Sequence, residues 1–314
     1  MLDVVKLETL RAVLAHGSFS SAGQALGLTQ PAVSRQISLL ERQLGTQLVR
    51  RTQRGVHATE AGRLLDGHAE VILGRLALAE AQIADLAGMR RGHVRLGSFF
   101  TALVYLSAEL AAVLESRHPD LFRLEHGVIE DQLVDRATAF RRLAANELDV
   151  AIVFEHEFER DPAPDDIELV PLFDDPPRAL LPASHRSAGS PAVAISDLSH
   201  ETWIRAHHGS AARFVDHVLH RAGVRPPIVH AGHGDEPVEA QAFVAAGQGV
   251  TLAHALNVLI SPGQIASVPI RGDAPVRFVQ AAIMREQRAP APRAVVDALL
   301  EVGDRRRDRA SERR

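Results

Sequence analysis

Residues 18–45, SFSSAGQALGLTQPAVSRQISLLERQLG, constrain the fold of this chain most strongly, because they predict two short helices joined by a tight turn. Ser18 is a good N-cap for the first helix, since its hydroxyl can accept from the free N–H groups of the first turn. That helix is expected to end at Gly27, where a left-handed backbone costs little. Thr29 is then expected to cap the second helix, whose first turn tolerates Pro31.

The second helix has an apolar face and a polar face. The apolar residues recur at helical spacing and are expected to face a core; they are Val33, Ile37, Leu40 and Leu44. Gln30, Ala32, Ser34 and Arg35 are left facing outward near its N-terminal end. A helix-turn-helix needs this arrangement, because the first turns of its second helix meet base edges in the major groove. Arginine can bond guanine there, and glutamine can bond adenine.

A basic hairpin is expected directly after this helix. Arg50, Arg51 and Arg54 flank a turn at Gly55, and a short alternating strand follows. Arginines on such a hairpin can neutralise phosphates or enter a narrow minor groove. On these three residues alone a solvated loop is the favoured interpretation, but beside the helix we favour contact with DNA.

Two blocks covering residues 7–62, LETLRAVLAHGSFSSAGQALGLTQPAVSRQISLLERQLGTQLVRR and TQRGVHATEAG, resemble the winged helix-turn-helix of LysR-type transcriptional regulators. The resemblance implies binding to double-stranded promoter DNA. The alternative is a small helical bundle with an ordinary capped turn. The candidate DNA-binding residues are Ser18, Thr29, Gln30, Pro31, Ala32, Ser34, Arg35, Arg50, Arg51 and Arg54.

The charge is divided unevenly along the chain. Residues 1–62 hold seven basic and four acidic residues, whereas the whole chain of 314 residues has a net charge of −4. A basic segment on an acidic body fits a protein that touches nucleic acid with one end only.

Composition excludes several classes of protein. The chain has no cysteine, which removes disulfides and thiolate metal sites. No apolar run approaches the roughly 18 residues of a membrane helix, and no secretory leader pattern opens the sequence. With DNA as the partner, we expect a cytoplasmic protein without a membrane partner.

A long helix is expected over residues 60–87, which contain no proline. Its apolar residues Leu65, Ile72, Leu76, Ala79, Ile83 and Leu86 form an a/d-like seam. Such a seam pairs with another helix or packs on its own body. The resemblance favours the first reading, in which this linker helix forms a homodimer and pairs of dimers form a homotetramer. A dimer presents two recognition helices to two half-sites.

Strand and helix patterns alternate after Gly88 and predict a mostly parallel sheet covered by helices. The expected elements are a strand in HVRLGSFF, a helix over 103–119, a strand over 121–127, a helix over 129–146 and a buried strand over 148–154. The segments VRLGS at 94–98, NELDVAIV at 146–153, TWI at 202–204 and VAAGQGVTL at 244–252 resemble the effector-binding half of the same family. That half is a periplasmic-binding-protein-like body of two α/β subdomains.

The sequence therefore predicts an α/β protein with an N-terminal all-α winged helix-turn-helix, a long linker helix and a two-subdomain body. The expected bounds are 1–60 for the DNA-binding domain, 61–88 for the linker, and 89–302 for the body. Within the body, subdomain I would hold 89–166 and 268–302, and subdomain II would hold 167–267. The charged tail 303–314 lacks apolar periodicity and is expected to be disordered.

The effector is expected where helices begin beyond the carboxyl ends of strands. The resemblance implies that hydroxyls at Ser98 and Thr101 hold a carboxylate, although Ser98 fits a simple cap equally well. Phe99 and Phe100 suit an aromatic molecule, or belong to a core. The remaining candidate effector-binding residues are Val128, Ile129, Ile204, His207 and His254.

The histidines raise a metal hypothesis that we do not favour. His207 and His208 are adjacent, and HAGHGDE at 230–236 combines imidazoles with carboxylates. The pattern is weak on a glycine-rich loop, so no metal and no cofactor are expected.

The leading hypothesis is a transcriptional regulator whose DNA binding responds to a small molecule. The alternative is an architectural DNA binder that needs no ligand. An enzyme with a DNA-binding module is disfavoured, because the sequence lacks a G-x-S-x-G elbow, a P-loop, an H-E-x-x-H motif and cysteine.

Overall fold

The computed structural model describes residues 2–52, 55–86, 94–119, 129–231, 238–258 and 263–311. The chain divides into two compact units, residues 1–91 with 141–149 and residues 92–140 with 150–314. The elements of the first 91 residues are α1 (Val4–His16), α2 (Phe19–Leu26), α3 (Gln30–Leu44), β1 (Val49–Thr52), β2 (Gly55–Ala58) and α4 (Glu60–Leu86).

The turn between α2 and α3 forms as the sequence predicted. The Ser18 hydroxyl accepts from Ser20 N at 3.2 Å and from Ser21 N at 3.4 Å. Gly27 has a φ of 66° and closes α2. The Thr29 hydroxyl accepts from Ala32 N at 3.4 Å, which caps α3. The helix-turn-helix therefore follows from local capping chemistry.

One residue of the predicted apolar face of α3 was assigned wrongly. Val33, Ile37 and Leu40 are buried as expected, but Leu44 is 41% exposed. Because α3 ends at Leu44 and the chain turns at left-handed Gly45, Leu48 contributes to this core instead. The Glu41 carboxylate anchors the return, since it accepts from the backbone N–H of Leu48 at 2.8 Å.

The long helix is present as α4, and Thr59 caps it by accepting from Gly62 N at 3.0 Å. Leu65 packs into the core of this unit. Farther along the predicted seam, Ile72, Leu76 and Ile83 are exposed, Ile83 to 66%. The described part of α4 thus carries an apolar stripe that its own unit leaves uncovered.

The second unit is built on two main sheets. The elements after residue 91 are β3 (Val94–Ser98), α5 (Phe100–Arg117), β4 (Ile129–Leu133), α6 (Arg136–Ala144), β5 (Val150–His156), β6 (Ile167–Asp175), β7 (Pro177–Pro182), β8 (Trp203–Arg205), α7 (Ser210–Arg221), β9 (Ile228–His230), α8 (Val238–Ala245), β10 (Thr251–His254), β11 (Ile265–Pro269), β12 (Arg277–Met284) and α9 (Pro290–Ser311), of which α6 has its residues 141–144 in the first unit. Short 3-10 turns lie at Ile195–Leu198 and Ala255–Asn257. The five-stranded sheet has the order β4-β3-β5-β12-β6, the three-stranded sheet has the order β10-β7-β11, and β8 pairs with β9.

The predicted helix over 129–146 was wrong in its first part. Residues 129–133 form β4, which pairs in parallel with β3 from Val94↔Ile129 to Ser98↔Leu133. The polar sequence IEDQL suits an edge strand, where one face meets solvent. Residues 120–128, which include most of the predicted strand 121–127, lie outside the described residues.

The expectation of a mostly parallel sheet was correct for the five-stranded sheet, where β4, β3, β5 and β6 share one direction, but it was wrong for the three-stranded sheet. β3 pairs in parallel with β4 and β5, but β12 runs antiparallel to both β5 and β6. In the three-stranded sheet, β7 runs antiparallel to both β10 and β11. Strand β12 enters the five-stranded sheet on its return from the other sheet, and this return reverses its direction.

The predicted subdomain boundaries lie several residues from the observed passages between sheets. β6 belongs to the five-stranded sheet, so the chain leaves it at 175–177 and not at 167. β11 belongs to the three-stranded sheet, so the return lies over 270–276 and not at 268. β6 stays in the first sheet because its whole length pairs with β12.

The tail is helical where it is described, contrary to the disorder expected from Gly303 onward. α9 continues to Ser311. Arg306 bonds Glu109 on α5 at 2.9 Å, and Gly303 packs so closely that a Cβ there would lie 2.6 Å from the Leu172 carbonyl oxygen. These contacts hold the charged segment in place, although its composition alone predicts that it is disordered in solvent. Over the described residues, no helix combines the length and apolar character that crossing a bilayer requires.

Candidate functional site

The start of α3 presents the polar surface that the sequence predicted. Gln30, Pro31 and Arg35 are exposed, and Ala32 and Ser34 are half-buried beside them. The opposite face holds α3 in its core through Val33, Ile37 and Leu40. The helix is therefore fixed from behind, while its first two turns remain available to a base edge.

Arg51 on β1 joins the hairpin to this helix. Its Nη2 donates to the Ser34 hydroxyl at 3.1 Å. Its guanidinium carbon lies 4.3 Å from the centre of the Phe19 ring, within the range of a cation–π contact. A shallow depression brings this arginine together with Ser18 and Gln30. Arg51 therefore positions the hairpin as well as adding charge to the surface.

The hairpin is docked on the turn between α1 and α2. Val56 N donates to the Gly17 carbonyl at 2.8 Å, and a Cβ at Gly55 would lie 2.8 Å from the same oxygen. Arg50 is exposed on the adjacent strand. Arg54, the remaining predicted basic contact, lies outside the described residues.

A cavity of about 600 Å³ lies in the second unit, a size that accommodates a drug-sized molecule. Its wall includes the aromatic residues Phe99, Phe100, Phe154 and Phe214. Residues of both main sheets reach it, because His156 ends β5 and His254 ends β10. The cavity therefore meets both halves of this unit.

Arg277, which lines the cavity, belongs to a buried ion pair. Arg277 Nη2 lies 2.5 Å from Asp175 Oδ2 and 2.9 Å from the side-chain oxygen of Asn257. The Thr101 hydroxyl donates to that same Asn257 oxygen at 2.8 Å. The guanidinium also faces the Phe99 and Phe154 rings at 5.0 Å and 4.9 Å. The network connects β6, β12, α5 and the turn after β10.

Histidine and phenylalanine rings that line the cavity pack together. The His254 and Phe214 ring centres lie 4.3 Å apart, and the His254 and His156 centres lie 5.1 Å apart. His156 stacks on Phe214 with an angle of 2° between the rings. These rings form a largely apolar wall whose polar atoms are few and fixed.

His254 is held neutral by its surroundings. Burial lowers its pKa well below the usual range, and the positive charge of Arg277 and the neighbouring His156 lower it further. A hydrogen bond to the Pro275 backbone acts in the opposite direction. Proline has no N–H, so this bond runs from the imidazole to the Pro275 carbonyl. Because His254 Nε2 has no hydrogen-bond partner among the described residues, we assign this bond and its proton to Nδ1.

The predicted effector-binding residues fall into two groups. Phe99, Phe100, Thr101 and His254 line the cavity. Ser98, Ile129, Ile204 and His207 are not among its described lining residues. Ser98 is fully buried and donates to the Phe99 carbonyl at 3.3 Å. Val128 lies outside the described residues.

Ile129, Ile204 and His207 are placed elsewhere for clear reasons. Ile129 begins β4, whereas the cavity is reached by residues at the end of that strand. Ile204 is buried on β8 in a core with Leu180 and Val244. The His207 ring stacks on His230, with ring centres 5.2 Å apart.

Several of the residues that sequence reasoning missed follow β4, which the sequence had assigned to a helix. Val134, Asp135 and Arg136 all line the cavity. A signal was present, because Asp135 precedes RATAFRRLA as a helix cap would. The Asp135 carboxylate indeed accepts from Thr138 N at 2.7 Å.

No group of three or more potential metal-binding side chains is found within the described ranges. Residues 232–237, which hold most of the HAGHGDE segment, lie outside those ranges. The described structure thus adds nothing to the metal hypothesis.

A winged helix-turn-helix and a cavity-bearing two-sheet α/β unit in one chain define a DNA-binding transcriptional regulator with an effector-binding domain. Residues 4–63 match the family described as bacterial regulatory helix-turn-helix protein, lysR family, and residues 87–304 match the LysR substrate binding domain. The chain belongs to the LysR family of transcriptional regulators.

Relatives and solved structures agree with this assignment. The transcriptional regulator CfxR of Cupriavidus necator is 29% identical over 96% of this chain and 92% of its own length. The small neutral protease regulatory protein of Streptomyces coelicolor is 32% identical over 81% of this chain and 74% of its own length. The fold resembles that of CbnR, a LysR family regulator, with a TM-score of 0.63 and 21% identity over 96% of this chain and 99% of that one.

Proposed function

We propose that this protein reads a specific promoter sequence through the start of α3 and the adjacent hairpin. The observation that carries the proposal is the exposed row Gln30, Pro31 and Arg35 beside Arg51, on a helix whose other face is fixed in a core. Thr29 and Ser18 hold the two helix starts, and Ala32, Ser34, Arg50 and Arg54 complete the proposed surface. Bidentate side chains at such a place discriminate between bases, and arginines beside them contact phosphates.

We also propose that the cavity binds a small-molecule effector. The bound molecule would change the arrangement of the five-stranded sheet relative to the three-stranded sheet. Coupling requires the effector to favour one arrangement over another, since equal affinity for both changes nothing. The network around Arg277 and Asn257 supports this, because it touches the cavity and joins strands of the five-stranded sheet to the turn after β10.

The working form is proposed to be a homodimer, with paired dimers forming a homotetramer. The uncovered apolar stripe of α4, at Ile72, Leu76 and Ile83, supports pairing with a second copy of the same helix. Two recognition helices would then address the two halves of a palindrome. We infer that this regulator acts in the cytoplasm by binding rather than by catalysis.

Selection of bound duplexes from a random DNA pool by the purified full-length chain tests this proposal. At near-physiological salt, we expect an enriched interrupted palindrome. Arg35→Ala should broaden the enriched motif at particular base positions, while Arg42→Ala, at the far end of the same helix, should leave it unchanged. Tight binding without any enriched motif, lost as salt rises, would support the architectural alternative.

A further inference from the structure

Each arginine in the described lining of the cavity is already paired with a carboxylate. The described lining holds three guanidinium groups and four carboxylates. Arg136 lies 3.3 Å from Glu155, and Arg213 lies 2.9 Å from Glu159. The third, Arg277, is paired with the buried Asp175. An anionic effector would therefore meet cations that are neutralised and a lining with a surplus of acidic groups.

The hydroxyl groups expected to hold an anion are also engaged. Ser98 donates to the Phe99 carbonyl, and Thr101 donates to Asn257. Thr251, another lining residue, donates to the Ile204 carbonyl at 2.7 Å. A carboxylate in this cavity would have to break such bonds or remain poorly solvated, and burying a poorly paired charge is costly.

His254 offers the complementary feature, an acceptor without a donor. The residue is 2% exposed and lines the cavity, and its Nε2 has no hydrogen-bond partner among the described residues. Since Nδ1 carries the proton that is donated to Pro275, Nε2 presents a lone pair. A buried polar atom of this kind is normally satisfied, so it favours a ligand that brings an N–H or O–H group.

The shape and chemistry of the remaining wall define the rest of the ligand. The Phe214 ring contacts His254 directly, the Phe154 ring meets His156, and Phe99 and Phe154 are in edge-to-face contact at 4.9 Å, all in the same cavity wall. Aromatic walls of this type favour a flat ring that can stack or meet a ring edge.

We propose that the effector is an uncharged aromatic molecule with a hydroxyl donor, and that His254 Nε2 accepts the hydrogen bond from this hydroxyl. This inference rests on the proposed role of the cavity as the effector site. The inference narrows the chemical class of the effector. Of the two classes considered in the sequence analysis, it favours the aromatic molecule over the carboxylate that the family resemblance implied. His254 is the residue that determines specificity.

Three matched probes test the inference by calorimetric titration of the full-length protein at neutral pH. They are naphthol, its methyl ether and naphthoate, each substituted at the same ring carbon. We expect naphthol to bind about tenfold more tightly than the ether, because only naphthol can donate to His254. Naphthoate should bind most weakly. Tightest binding by naphthoate, equal binding of naphthol and ether, or binding of none of the probes would overturn the proposal.

Three variants test whether His254 Nε2 is responsible for the difference in affinity between naphthol and its ether. His254→Phe keeps a ring against Phe214 but removes the acceptor, so naphthol affinity should fall about tenfold to that of the ether. His254→Gln returns an acceptor near the Nε2 position and should restore part of the preference. His217→Phe is the matched control, because His217 is another histidine with a buried Nε2 that lacks a described partner, yet it is not among the lining residues. It should leave all three affinities unchanged.

A parallel measurement separates this inference from the proposed function. The affinity of the protein for a selected duplex is measured with and without saturating naphthol. If naphthol binds through His254 while DNA affinity and bending stay constant, the ligand class stands and the effector coupling fails. If a different ligand class alters DNA binding, the regulatory proposal stands and the ligand class fails.

Discussion

Arg277 Nη2 lies 2.5 Å from Asp175 Oδ2 at the two places where the chain passes between the sheets of the second unit. Asp175 is the last residue of β6, just before the chain leaves the five-stranded sheet, and Arg277 is the first residue of β12, where it returns. The other Asp175 oxygen accepts from Leu256 N at 3.0 Å. Both side chains are almost fully buried, so the pair fastens the two passages inside the protein.

We expect Asp175→Asn to destabilise the second unit strongly. The substitution leaves the Arg277 guanidinium buried without its counter-charge, a loss that typically amounts to about 3–5 kcal/mol of the free energy of unfolding. Denaturant unfolding followed by circular dichroism measures it. Asp273→Asn is the control, because it breaks a pair with Arg221 in which the side chains are 53% and 75% exposed. The control should change stability by less than about 1 kcal/mol. If the two variants lost similar amounts of free energy of unfolding, burial would not be what makes the pair of Asp175 and Arg277 important for stability.

The parts of the fold that the sequence predicted correctly are those set by neighbouring residues. Ser18, Gly27 and Thr29 act through hydrogen bonds and backbone angles within three or four positions, and each occupies its predicted place. The α/β body was likewise predictable as a class, because its strand and helix patterns alternate. Local chemistry and family resemblance together were sufficient for both.

The cavity could not be predicted to the same degree, because it depends on which strands become neighbours. The strand over 129–133 carries the polar sequence IEDQL, whose place at a sheet edge is set by pairing with β3. With that strand misassigned, Asp135 and Arg136 were missed. Likewise, the surroundings of His254 come from Arg277 and Phe214, which lie far from it along the chain. Pairing between distant residues leaves little trace in local composition.

We expect Arg35→Ala to reduce the discrimination between bases. A bidentate contact from Arg35 to a base edge would contribute about 1–3 kcal/mol at one base position, so its loss should relax specificity there. The measurement compares affinities for the selected operator and for single-base variants. Arg54→Ala should instead weaken all duplexes about equally and reduce the salt slope by about one, as loss of a phosphate contact does. Unchanged operator affinity in both variants would contradict the proposed surface.

Arg51 is expected to contribute to both folding and DNA binding. Arg51→Ala removes the bond to Ser34 and the contact with Phe19, and should lower stability by about 0.5–2 kcal/mol. A double-mutant cycle with Ser34→Ala measures the coupling, which we expect to be about 0.5–1 kcal/mol. If the two effects simply add, the hydrogen bond does not stabilise the hairpin.

Gly23→Ala tests the tightness of the helix-turn-helix. Alanine improves helix propensity by about 1 kcal/mol, but a Cβ at this position would lie 2.7 Å from the Leu28 carbonyl oxygen, a backbone atom. The same segment is fixed by a hydrogen bond from Leu28 N to Gly23 O at 2.8 Å. We therefore expect the steric clash to exceed the gain in helix propensity, so that Gly23→Ala lowers the stability by about 1–2 kcal/mol in thermal unfolding. Gly67→Ala is the control, since Gly67 lies in α4 with open space around it and should gain stability.

The pH dependence of stability should report the buried state of His254. Its pKa in the folded protein lies well below 6.5, chiefly because of burial, so below pH 6.5 the unfolded chain binds a proton that the folded protein refuses. The contribution of this residue is therefore complete above about pH 7 and decreases as the pH falls, by up to about 1.4 kcal/mol per pH unit for one proton. His254→Phe removes this dependence. The free energy of unfolding of the protein minus that of the variant should therefore decrease steadily from pH 7 to pH 5. Parallel profiles for the two proteins would mean that His254 takes up its proton equally easily in the folded and unfolded states.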